Sequence, residues 1–176
     1  MFALGIALAC NAPIPGLFGP TPIPVSTEAA GQLIENLGSI TPGPDGSVTV
    51  VITQEQLTSF VAIELAKTPD VPLENPQIAL DKGEVQFTGV LDTGGLKSKV
   101  EVSLSVVVNA EGKLDVQITT ARLGPLPIPG EILEAVSQVV SDSLTNEINT
   151  KAGAKIKLTS VTIENGALTA TGVAIP

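Results

Sequence analysis

Hydrophobic and polar positions along the chain fall into three regimes. In the first, Ala30, Leu33, Ile34 and Leu37 recur at steps of three and four, the spacing that gives a helix one apolar face. Ser26 or Thr27 can cap that helix, and Gly38 ends it. The turn-rich string TPGPDG, Thr41 to Gly46, follows. Val48, Val50 and Ile52 then alternate as one side of a short strand. Thr53 and Gln56 have capping-box spacing, a specific helix-start signal. Leu57, Phe60, Val61 and Leu65 form the stripe of this second helix, and Pro69 and Pro72 end it.

In the second regime, from Asn75, the period becomes two. Ile78 and Leu80 alternate before a Lys82–Gly83 turn; Val85, Phe87, Gly89 and Leu91 alternate before a turn at Thr93 to Gly95. Val100, Val102, Leu104, Val106 and Val108 form the longest alternation, with Lys99, Glu101, Ser103 and Ser105 opposite. NAEGK, Asn109 to Lys113, is a hairpin signal, after which Leu114, Val116 and Ile118 return. Such a meander has one apolar and one wet face. Two more strands, Lys155 to Ile163 and Ala167 to Ile175, flank the turn ENG.

The third regime, Leu123 to Ile148, is the longest helical pattern and is expected to organise the rest. LGPLPIPG leads into Ile132, Val136, Val140 and Leu144, spaced every fourth residue, with Leu133 and Val139 widening the stripe. Glu131, Glu134, Gln138, Asp142 and Glu147 fall mostly off it. Pro129 suits a first helical turn and Gly153 a stop. Long strands coil under their own twist, and Gly89 and Gly172 sit where strands bend or bulge. The expected class is α+β: a strongly curved antiparallel sheet wrapped around a long amphipathic helix plus one or two shorter helices. Residues 25–176 form one domain, and residues 1–24 precede it as an apolar stretch and a Pro/Gly-rich tether.

Composition changes the picture in one respect. Hydrophobic residues are 43% but aromatics only 2%, so the interior is Val, Ile, Leu and Ala. That suits solvent exclusion or acyl chains better than sugars or nucleotides. A net charge of −9 argues against nucleic acid and against electrostatic adsorption to anionic membrane. The absence of His removes the commonest general base and metal ligand, and a single Cys excludes an internal disulfide. Glu131 and Glu134 are neighbours on a helix but read as a solvated face; no nucleophile–base pair, calcium loop or phosphate-binding glycine pattern occurs. No catalytic residue, metal ligand or cofactor is therefore assigned.

Several strings resemble a known group. TQEQLTSFVA, from Thr53, resembles the T-x-E-E-L-N helix start of bacterial YpmS-type proteins. ENPQIALDKGEVQFTG resembles their first hairpin, and GKLDVQITTARLGPLPIPGEIL their passage from a strand through a Pro-rich loop into a long helix. A weaker similarity reaches the LmeA-type periplasmic phospholipid-binding proteins. The resemblance covers roughly Ser47 to Ile175 and implies a tubular lipid-binding (TULIP-like, BPI-like) fold, with lipid tails between sheet and helix. The partner so implied is a phospholipid or other acyl-chain ligand. The groove residues would be Leu57, Phe60, Val61 and Leu65, then Val102, Leu104 and Val106, then Ile132, Val136, Val140 and Leu144. Leu126 and Ile128 read first as part of a rigid turn that aims the helix, and secondly as a membrane-contact tip. IALAC, ending in Cys10, resembles part of a bacterial lipobox with Ala9 in the small position, although no basic residues precede it. A lipid anchor at Cys10 and an extracytoplasmic place in the cell envelope are the corresponding expectations. The residues leave a second reading open, a non-enzymatic interaction module of a surface lipoprotein with a solid core.

Overall fold

The chain begins its described structure with an extended segment that is pinned at two points. A computed structural model describes residues 21–67, 72–92, 94–124, 130, 131, 134 and 155–175. Ile23 donates its N–H to Gln77 Oε1 (2.6 Å), and its carbonyl accepts from Gln77 Nε2 (3.1 Å). Ser26 N–H donates to Ser59 Oγ (3.1 Å), and the Ser26 hydroxyl caps the helix α1, Thr27–Gly38. Ala30, Leu33 and Leu37 face the core, while Ile34 is 37% exposed and lies at the edge of the expected stripe. Strand β1, Ser47–Thr53, runs directly into α2, Gln54–Ala66. The capping box is complete: Thr53 Oγ1 accepts from Gln56 N–H (3.3 Å), and Gln56 Oε1 accepts from Thr53 N–H (3.1 Å).

Helix α2 is the most enclosed element among the described residues. Gln56 to Val61 are buried without a break. Beyond Gln54 and Glu55 the helix therefore shows no wet face until Ala62, being held between α1, β1 and the strand that follows. Two buried hydroxyls make this tolerable because both are bonded. Ser59 receives the Ser26 N–H, and Thr58 Oγ1 accepts from Ile78 N–H (3.0 Å) and donates to Ile78 O (3.3 Å).

Four strands form a meander: β2, Leu73–Asp81; β3, Glu84–Asp92; β4, Lys97–Val108; and β5, Leu114–Leu123, in the spatial order β2-β3-β4-β5. Lys82 and Gly83 both have positive φ, the two-residue turn whose twist matches a hairpin. Strands β6, Lys155–Glu164, and β7, Ala167–Ile175, are joined by a matching Asn165–Gly166 turn. Strand β7 also pairs with β1, giving a second sheet ordered β1-β7-β6. All pairings are antiparallel.

The expected single curved sheet is thus two sheets. They meet end to side, because β6 crosses the turns that join β2 to β3 and β4 to β5. Leu158 N–H donates to Gly112 O, Gly83 N–H to Ile163 O and Gly166 N–H to Leu80 O, each at 2.9 Å. Apolar residues of α1, α2 and both sheets form one buried cluster. The two glycines flagged as bends differ. Gly172 lies beside the β6 irregularity between Leu158 and Ser160, and a Cβ there would sit 2.6 Å from Lys157 O, so no larger residue fits. Gly89 pairs regularly with Val100; a side chain there would press on Leu73.

The long stripe Ile132, Leu133, Val136, Val139, Val140 and Leu144 lies outside the described residues, as do Cys10, Pro69, Thr93, Leu126, Ile128 and Pro129. Gly130, Glu131 and Glu134 are described; all three are helical and exposed.

Candidate functional site

One face of the meander is apolar from edge to edge. On β4, Val100, Val102, Leu104 and Val106 point inward and are buried. Their partners on β3 are Gly89, Phe87 and Val85 opposite Val100, Val102 and Leu104. Their partners on β5 are Leu123, Ala121, Ile118 and Val116, opposite Val100, Val102, Leu104 and Val106. Directly opposed residues in an antiparallel pair share a face, so these rungs lie together on the inward side of the sheet. Leu57, Phe60, Val61 and Leu65 of α2 belong to the same cluster. The structure therefore brings together seven of the residues that the sequence pattern singles out. The remaining four, Ile132, Val136, Val140 and Leu144, lie outside the described residues.

The cover over this face is uneven. At the β2 edge, α2 packs down and Ile78 and Leu80 are each 1% exposed. Along the rung joining β4 to β5, Leu104 is fully buried while its partner Ile118 is 40% exposed. Adjacent strands are only about 4.8 Å apart, so the face passes from dry to open within one strand spacing. Ala121, on the next inward rung, is exposed, and Val116 is half-buried. The strand is irregular at this point: the register shifts between Ser103 and Leu104, and Thr119 turns its hydroxyl onto Ser103 O (3.1 Å). Sequence reasoning places Val116 and Ile118 in the alternation but not in the site. The signal available was their continuation of the Leu114 pattern into the stretch that leads toward LGPLPIPG.

Among the described residues of the meander, no titratable group shares this face. Charges of β4 and β5 lie on the opposite, wet face, where Glu101 pairs in register with Arg122 and bonds Lys99 Nζ (2.6 Å). The Lys99 ammonium, with a smaller contribution from Arg122, holds the Glu101 carboxyl below its ordinary range. The inward face can thus offer dispersion and water exclusion, and no proton or hydrogen bond from a side chain. Among the described residues no group of three or more His, Cys, Asp or Glu is placed to hold a metal ion. No helix among them is long and apolar enough to cross a membrane.

Comparison with known proteins bears on the class of ligand. Among curated proteins none matches this sequence. A family model for LmeA-like phospholipid binding matches residues 21–173, from the pinned segment before α1 into β7. The LmeA similarity, the fainter of the two likenesses read from the motifs, is the one this match supports. The chain belongs to the LmeA-like phospholipid-binding family.

Proposed function

We propose that the protein binds phospholipid by its acyl chains, without catalysing a reaction on it. The chains would lie against the inward face of β4 and β5, over Val102, Leu104 and Val106 and out across Val116 and Ile118. The stripe Ile132, Val136, Val140 and Leu144 would supply the opposite wall, with Leu57, Phe60, Val61 and Leu65 of α2 closing the inner end. The observation that carries this reading is the Leu104–Ile118 rung, buried at one end and open at the other, in a chain of a phospholipid-binding family. Each methylene removed from water contributes about 0.8 kcal/mol, so a handful suffices without any hydrogen bond. Native mass spectrometry of gently extracted protein tests the reading. A phospholipid adduct, or uptake of one from phosphatidylglycerol vesicles, is expected; protein that carries no lipid and gains none contradicts it.

The same reading places the protein at the bacterial cell envelope, outside the cytoplasm, with Cys10 as a lipid anchor and Leu126 and Ile128 as a loop that touches the bilayer. A palmitate analogue should label the protein, and Cys10→Ser should abolish the label. A specific observation favours the second reading, a solid-core interaction module. Leu57, Phe60, Val61, Leu65, Val102, Leu104 and Val106 are all at most 7% exposed, as ordinary core residues are. The lipid experiment separates the two.

A further inference from the structure

Strand edges divide the molecule into guarded and unguarded borders. The β2 edge is satisfied by protein: Thr58 serves both backbone groups of Ile78, Gly166 N–H bonds Leu80 O, and Pro76 has no N–H to offer. The β6 edge carries Lys157, is irregular at Ser160 and is bonded to two hairpin tips. The β5 edge carries Asp115 and Arg122 and is irregular near Thr119. Charges, irregularities and cover are the usual protections of an exposed edge. Strand β1, SVTVVIT, has no charge and no proline.

Its free backbone groups can be identified. Gly46 O accepts from Ala174 N–H and Gln54 N–H donates to Gly166 O, so even-numbered residues between them face β7. Odd-numbered residues face away. Ser47 is satisfied by Gly43 N–H and by Asp45, and Thr53 N–H by Gln56. Among the described residues, this leaves the N–H and C=O of Thr49 and Val51 without partners. They front a cleft of about 300 Å³ whose facing wall is Asn36, Ser39, Ile40 and Thr41. Val51 is 48% exposed.

We infer that this cleft is a docking site for a short extended segment of another polypeptide, added as a strand along Thr49 to Val51. Two outward residues, two apart, present donor, acceptor, donor and acceptor at the repeat of an extended backbone. The window is short because the Gly43–Ser47 turn bounds it on one side and α2 on the other. It therefore fits a peptide of about three residues in contact, and not a full strand. Its lining carries no charge, so recognition falls on the backbone and the rim's small hydroxyls. The net charge of −9 favours a neutral or basic segment over a second copy of this chain, which would bring the same charge with it. The site lies on the other sheet from the β5 rim and stands whether or not lipid binds there.

The test is a titration of the full-length, ¹⁵N-labelled protein with the peptide acetyl-Lys-Val-Thr-Val-Thr-Lys-amide, followed by amide chemical shifts and hydrogen exchange. The expected result is saturable shifts centred on Thr49 and Val51, with slowed exchange of those two amides. The same peptide N-methylated at alternate residues should lose binding in one of its two registers of methylation and keep it in the other. Val51→Lys, an exposed change, should weaken binding at least about tenfold. Three results overturn the inference: no shifts at peptide up to about 1 mM, shifts centred on β5 instead, or concentration-dependent shifts at Thr49 and Val51 without peptide, which would assign the edge to a second copy.

Discussion

The two long borders of the meander carry the same kind of sequence and end in opposite states. Along β2, Ile78 and Leu80 alternate with Gln77, Ala79 and Asp81; along β5, Val116 and Ile118 alternate with Asp115, Gln117 and Thr119. At β2 the inward side chains are sealed by α2, and even the backbone of Ile78 is answered by a threonine hydroxyl. At β5 the inward Ile118 is 40% exposed and the next inward residue, Ala121, is exposed as well. Alternation creates an apolar face but does not cover it. What decides whether a border is core or binding surface is the element laid over it, and at β2 that element is α2.

The comparison can be broken most severely at the sealed end. Phe87 is fully buried between Ile78 and Val102 in the sheet register. Phe87→Ala should lower unfolding stability by about 3–5 kcal/mol in urea titration. A loss below about 1 kcal/mol would show that this end is not the dry core described.

Next in size is the hydroxyl that seals the β2 edge. Thr58→Val keeps the shape but leaves Ile78 N–H and C=O buried without partners, a loss of about 2–4 kcal/mol. Thr58→Ser, which restores the hydroxyl, should recover most of it. Equal losses in the two variants would mean that packing of the methyl, not the paired hydrogen bonds, holds α2 on β2.

At the open border the effects should fall on binding and not on stability. Ile118→Glu places a charge on an exposed edge residue, and thermal melts should change by less than about 0.5 kcal/mol equivalent. Phospholipid uptake from vesicles should nevertheless drop at least about tenfold, since an ionised carboxylate on an acyl-contacting face is poorly tolerated. A variant that melts normally and still loads lipid normally would separate Ile118 from the site.

The smallest effect concerns the turn before β1. Asp45 accepts from the Ser47 hydroxyl and from Ser47 N–H (3.0 Å), bonds that hold its carboxyl below the ordinary carboxylate range. A depressed folded pKa gives stability that is present above the unfolded value and lost as pH falls through the folded one. Asp45→Asn should therefore melt slightly lower than the parent at neutral pH, with the gap closing below about pH 4. A gap that persists in acid would assign the effect to the turn's shape and not to its charge.

Much of this architecture is legible in the residues, and the exceptions have physical causes. The Thr53–Gln56 capping box, the period-two runs and the Gly-containing hairpin turns depend on neighbours in sequence, so local pattern suffices to find them. The division into two sheets depends on β1 pairing with β7, more than a hundred residues away, and no local spacing encodes that. The centrality of α2 was hidden for another reason. Gln56, Thr58 and Ser59 look like a solvent face, and only their bonds to Thr53, Ile78 and Ser26 explain how they come to be buried. Of the candidate site, the β4 and α2 positions follow from periodicity. The openness at Ile118 does not, because exposure is set by what lies above a residue and not by its own identity.

The most direct measurement is photocrosslinking with a phospholipid that carries a diazirine near the end of one acyl chain. Trypsin cuts after Lys113 and Arg122, releasing Leu114–Arg122 with the open border on it, and after Lys67 and Lys82, releasing residues 68–82 with the sealed border. Label should accumulate on Leu114–Arg122 and be sparse on residues 68–82. Label concentrated on residues 68–82, or no label on either peptide, would contradict an acyl-binding face that opens at β5.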